Sequence, residues 1–213
     1  MPTRTKRLTV LAMISSIAFL MAAFARVPVV LFLRYDPKDV IITIAGFIYG
    51  PLAAFTVAVV VALIEMLTVS QEGPWGFLMN VITSAAFCCS AAFIYRKKRN
   101  MTGAILGLIA ALFVATIVAM IWNYFIVPIY MPGVTREAVV PLLFSAFLPF
   151  NIISNSLNAA FTFILYRHIK KALQAAKLLP SHTNESGTSK VNIGLILVAV
   201  FVIVTCIVWI IVL

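Results

Sequence analysis

Between Val139 and Tyr166 the chain carries no charged side chain, yet three asparagines, Asn151, Asn155 and Asn158, stand in the middle of the run. At about 1.5 Å of rise per residue the run is long enough to cross a bilayer core of roughly 30 Å with tilt. The i, i+4, i+7 spacing puts all three carboxamides on one helix face. Turned to lipid, each would stay unpaired at roughly 2–7 kcal/mol. The stripe therefore faces inward, toward other helices or toward a bound molecule. Hydrogen bonding between helices is the simpler alternative, and uncharged polarity elsewhere in the chain favours the second.

The rest of the chain has the same character. Of 213 residues, 63% are hydrophobic and 10% charged, against about 25% charged in soluble domains. With a mean hydropathy of +1.12, this describes an all-α integral membrane protein. The net charge of +10 does not indicate nucleic acid, because the basic residues flank apolar runs, where they set topology. Cys88, Cys89 and Cys206 lie in apolar runs and have no disulfide or metal spacing.

Arg4, Lys6 and Arg7 precede an apolar span from Leu8 to Leu33, read as a retained first helix and interrupted late by Arg26. Ala18 and Ala22 form a small-xxx-small pair on it. After the polar loop Arg34–Asp39, residues 40–69 are apolar but broken at Gly50-Pro51. Charge bias decides between one crossing and two. The basic N-terminus and Arg96–Arg99 both belong in the cytoplasm, which requires two crossings turning at Gly50-Pro51. Thirty residues give only about 45 Å, so one or both helices must be short and shielded or border a cavity. Glu65, the single acidic residue at depth, either pairs with Arg26 or lines that cavity. A fourth helix follows at Gly76–Tyr95, a fifth at Ala104–Val127 and the sixth through Val139–Tyr166. The expected organisation is a six-helix membrane domain at 1–178, a linker at 179–190 and a further transmembrane helix at 191–213. The N-terminus would be cytoplasmic and the C-terminus outside if the seventh helix spans.

Enzymatic and ion-coupled readings find little support. There is no GxxxxGK[ST] phosphate loop and no GxSxG, and no carboxylate pair lies within a membrane run. His168 and His182 sit in the basic flank, and no metal site is expected. What remains are neutral hydrogen-bonding groups at the outer halves of helices four to six: Gly76, Asn80, Asn123, Asn151, Ser154, Asn155 and Asn158. Trp75, Trp122, Tyr124, Phe147 and Phe150 add flat apolar surface. The combination suits an uncharged, planar, polar-edged ligand.

The segments Tyr35-Asp36-Pro37-Lys38-Asp39-Val40, Gly46–Pro51, Gly73-Pro74-Trp75-Gly76-Phe77-Leu78-Met79-Asn80, Trp122–Met131 and Phe147-Leu148-Pro149-Phe150-Asn151 resemble those of the riboflavin-specific substrate-binding subunits, or S-components, of energy-coupling factor (ECF) transporters. The likeness covers about residues 8–170. It implies a six-helix S-component bundle that takes riboflavin as transported ligand, with no cofactor of its own. Its partners would be a transmembrane coupling protein and two cytoplasmic ATPases. By the same resemblance, Asn123 and Asn151 contact the flavin, the loop carrying Asp36 and Asp39 is a lid, and Ala18 and Ala22 dock on the coupling protein. Ser154-Asn155 departs from the Lys-Gly often found there in the family. An S-component for another vitamin or for a flavin such as FMN, and a non-transporting membrane scaffold, stay as alternatives.

Overall fold

The structure, a computed structural model, describes residues 4–30, 33–69, 73–130 and 135–175 together with isolated positions near the C-terminus. The expected linker and the expected seventh helix lie, those positions apart, outside the described residues.

Helix α1, Arg4–Phe24, stops well before its hydrophobic run ends. The next residues include Arg26, Val27, Pro28, Val29 and Val30. Branched side chains favour extended backbone, and a proline cannot continue the helical hydrogen bonds. Strand β1 (Val27–Val30) pairs antiparallel with β2 (Leu33–Tyr35), with Val27 opposite Tyr35 and a register irregularity between Pro28 and Val30. A first helix reaching Leu33 is thereby corrected: the last part of that span is a β-hairpin.

Helix α2 (Lys38–Tyr49) has 12 residues. At about 18 Å it is too short to cross a bilayer core. Gly50 turns the chain with φ +97°, a region that favours glycine, and Pro51 opens α3 (Pro51–Thr68) at the helix start, where its missing N–H is harmless. Both the turn and the short second helix match the sequence expectation. Helices α4 (Gly73–Lys97) and α5 (Met101–Tyr130) extend beyond their expected limits, and α5 carries Pro128 into its last turn. The final crossing is composite. Helix α6 (Arg136–Leu142) is capped by the Thr135 side chain, which accepts from the Ala138 N–H. A single π-helical stretch, Leu143–Phe147, leads into α7 (Leu148–Ala175).

Among the described residues five helical spans are long and apolar enough to cross a membrane, counting Arg136–Tyr166 as one. Large apolar side chains such as Leu20, Phe55, Phe93, Phe113, Ile117 and Phe144 lie outermost, whereas Ala18, Ala45, Ala54, Ala91, Ala92, Ala104 and Ala111 are buried. That inversion suits lipid as solvent, where small residues let helices approach closely. At Gly107 an added Cβ would sit 2.7 Å from the Ala91 carbonyl oxygen, so α4 and α5 touch almost backbone to backbone.

Candidate functional site

The hairpin lies against the bundle through two apolar clusters. Val29 and Tyr35 pack with Ile153 and Leu157 of α7. Leu33 packs with Val127 of α5, Val139, Leu143 and Phe147. Phe150 borders both clusters, and Tyr124 borders the second. The hairpin is thus fastened to the halves of α5 and α7 that carry the asparagines.

Beside it sits a buried ionic cluster. The Lys38 ammonium donates to both Glu65 carboxylate oxygens at 2.7 and 2.8 Å and lies 3.1 Å from Asp36 Oδ2. Arg26 donates to Glu65 Oε2 at 2.6 Å and to Asp36 Oδ2 at 3.3 Å. Asn80 donates to Glu65 Oε2 at 3.3 Å, and Asp36 Oδ1 accepts the Lys38 backbone N–H at 3.1 Å. Two cations face two carboxylates. Glu65 is 0% and Lys38 3% exposed, and such burial is tolerable only with this pairing and hydrogen bonding. Asp39 stands next to the cluster and accepts the Ser84 hydroxyl at 2.6 Å. Of the two roles left open for Glu65, pairing with Arg26 is the one observed. Lys38 was not singled out from sequence. Its signal was available, as a cation two residues before a long apolar run in a chain with one deep carboxylate.

The asparagines divide. Asn158 Oδ1 accepts the Tyr35 hydroxyl at 2.9 Å, joining β2 to α7. Asn155 donates to Thr116 Oγ1 at 3.2 Å, joining α7 to α5. These two do the work of the simpler reading. Asn123 is buried and donates to the Ala119 carbonyl at 2.8 Å. Asn151 donates to the Phe147 carbonyl at 2.8 Å but is only half-buried. One turn on, the Ser154 hydroxyl is buried and has no hydrogen-bond partner among the described residues, a costly state for a polar group. Asn151 and Ser154 are three residues apart and share a face with Asn158.

The remaining expected residues scatter. Asn80 joins the ionic cluster rather than the α7 stripe. Gly76 is buried, Trp75 is exposed, and Trp122 and Tyr124 are half-buried. Ala18 and Ala22 have no exposed surface at all and are covered by the protein itself. The exposed face of α1 instead offers Met13, Ser16, Ile17, Leu20 and Phe24. The docking role expected of the alanine pair therefore finds no accessible area in this conformation.

Residues 6–169 match the family of ECF transporter substrate-specific components. The chain belongs to that family. Consistent with this, it is 34% identical over 180 residues to the riboflavin transporter RibU of Staphylococcus aureus (strain TCH60), covering 80% of this chain and 94% of that protein. It is 32% identical over 162 residues to the riboflavin transporter FmnP of Bacillus subtilis (strain 168), covering 70% and 84%. A solved S component of a bacterial ECF transporter superposes with a TM-score of 0.67 at 35% identity, covering 81% of this chain and 99% of that structure. The ECF substrate-specific component is a multi-pass membrane protein of a transport family, not an enzyme, and works with an ECF transporter module. The hairpin, the ionic cluster and the asparagine stripe all fall within the matched residues.

Proposed function

We propose that this S-component captures riboflavin at the hairpin end of the bundle, where Asn151 and Ser154 of α7 meet its polar edges and Phe150 and Tyr124 its rings. The observation that carries the reading is the buried Ser154 hydroxyl, without a hydrogen-bond partner among the described residues, one turn from half-buried Asn151, in a chain related over most of its length to two riboflavin transporters. A hydroxyl and a carboxamide can both donate to and accept from a flavin's carbonyl and ring-nitrogen edge. The hairpin, held by Tyr35 and Arg26, closes over that site. The hairpin end faces outward and the basic end, with Arg96–Arg99, faces the cytoplasm. Uptake is powered by two cytoplasmic ATPases acting through a transmembrane coupling protein, which engages the exposed face of α1.

Purified protein should quench riboflavin fluorescence, and cells should accumulate riboflavin only when the partner subunits are co-expressed. A folded preparation that leaves riboflavin fluorescence unchanged overturns the assignment. Preference for FMN in competition would move it to the phosphorylated flavin.

A further inference from the structure

At the end of the bundle away from the hairpin, the α2–α3 turn faces the last turn of α4 across a cavity of about 290 Å³, lined in part by Arg7, Tyr49, Gly50, Tyr95, Arg96 and Arg99. Basic residues at this end serve topology, and topology alone asks only that they be solvated. Three observations go further. The three arginines converge on one concavity instead of spreading along the rim. Among the described residues none of them meets a carboxylate, since the ion pairs all lie in the cluster around Glu65. The Tyr49 hydroxyl, on the wall of the same cavity, is buried with no hydrogen-bond partner among the described residues. By contrast, the Tyr95 hydroxyl is already paired with that of Tyr166 at 2.6 Å.

The Arg7 guanidinium lies over the Tyr49 ring, 5.7 Å from its centre, which holds that arginine beside the unpaired hydroxyl. An O–H donor and three guanidinium forks around one hollow match a tetrahedral oxyanion with several acceptor oxygens. The lip includes Leu52, which is 75% exposed, so an apolar tail can leave the cavity toward the lipid. We propose that this cavity is a binding site for a phosphate group, presented by an anionic phospholipid headgroup or by a soluble phosphate. The proposal does not depend on which solute is captured at the hairpin end.

The test uses the full chain in neutral detergent. Phosphatidylglycerol, phosphatidylcholine and inorganic phosphate are each titrated while thermal stability is followed, and retained adducts are weighed by native mass spectrometry. Phosphatidylglycerol should stabilise the protein and stay bound where phosphatidylcholine does not. Arg7→Gln and Arg99→Gln should each weaken that binding by about ten- to a hundredfold, the value of a charge-assisted hydrogen bond. Tyr49→Phe should weaken it several-fold. A single thermal transition at the wild-type midpoint without added anion, measured on the same variants, certifies their fold. Competition by inorganic phosphate assigns the site to soluble phosphate, and its failure to compete assigns it to the lipid. Equal phosphatidylglycerol binding by wild type and the Arg7→Gln/Arg99→Gln double variant, or no binding of either anion by the wild type, overturns the proposal.

Discussion

Replacing Glu65 with glutamine keeps the shape of the side chain and removes one charge from a cluster that is otherwise balanced. In the wild type this carboxylate takes hydrogen bonds from Lys38, Arg26 and Asn80. After the change, Lys38, 3% exposed, keeps one ion-pair partner among the described residues, Asp36 at 3.1 Å, with Asp39 nearby. Breaking a buried ion pair by removing one partner costs about 3–5 kcal/mol. For a chain of this size each kcal/mol moves the unfolding midpoint by about 2–4 °C, so Glu65→Gln should lower it by roughly 6–20 °C. Lys38→Met added to Glu65→Gln removes one charge of each sign, leaving Arg26 opposite Asp36. The double variant should recover part of the loss, with a coupling of about 0.5–3 kcal/mol. Thermal unfolding of the wild type, Glu65→Gln, Lys38→Met and the double variant in one detergent measures this. A Glu65→Gln midpoint within about 2 °C of wild type would mean the cluster is worth no more than a surface pair, and the reasoning would fail.

Asn151→Leu should lower riboflavin affinity at least tenfold with little loss of stability, because among the described residues its amide bonds only to the preceding turn, at the Phe147 carbonyl. Asn155→Leu should instead destabilise by about 1–3 kcal/mol, because the buried Thr116 hydroxyl loses a partner on the neighbouring helix. Equilibrium quenching and thermal melts read the two apart, and equal effects in both assays would refute the division. Tyr35→Phe removes a donor to buried Asn158 and should speed riboflavin release in stopped-flow fluorescence by loosening the hairpin; an unchanged rate would show that the hairpin does not hold the solute. Gly107→Val forces a Cβ against the Ala91 carbonyl oxygen and should prevent a monodisperse preparation, whereas Gly50→Ala, strained at φ +97° and ψ 171° but spatially free, should cost about 1–3 kcal/mol in thermal melts.

Charge placement and uninterrupted hydrophobicity made the membrane segments legible, and the need to keep two basic ends on one side located the turn at Gly50-Pro51. The hairpin escaped notice because residues 25–33 are as apolar as the helix before them. Hydropathy carries no record of backbone geometry, and only Pro28 and the adjoining valines hinted at strand. The inward direction of the α7 stripe followed from its period, but its division of labour did not. Whether an asparagine meets a neighbour or stays available is decided by contacts such as Tyr35 with Asn158, 123 positions apart. Local spacing cannot report such pairs. The same limit hid Lys38, whose partner Glu65 lies 27 positions away.

The π-helical stretch at Leu143–Phe147 has a consequence for phase. Each residue advances an α-helix by about 100°, and the i→i+5 bonding of a π turn takes one extra residue into a single turn, so the stretch lengthens the chain between α6 and α7 while nearly keeping the phase of the residues that follow. Deleting one residue from the stretch, which would let it close as ordinary α-helix, should leave Asn151, Ser154 and Asn158 near their present direction, whereas a deletion that the stretch did not absorb would swing them by about 100° as a set. The carboxamides would then aim at the flanking helices or the bilayer, with every hydrophobic segment still at its proper length.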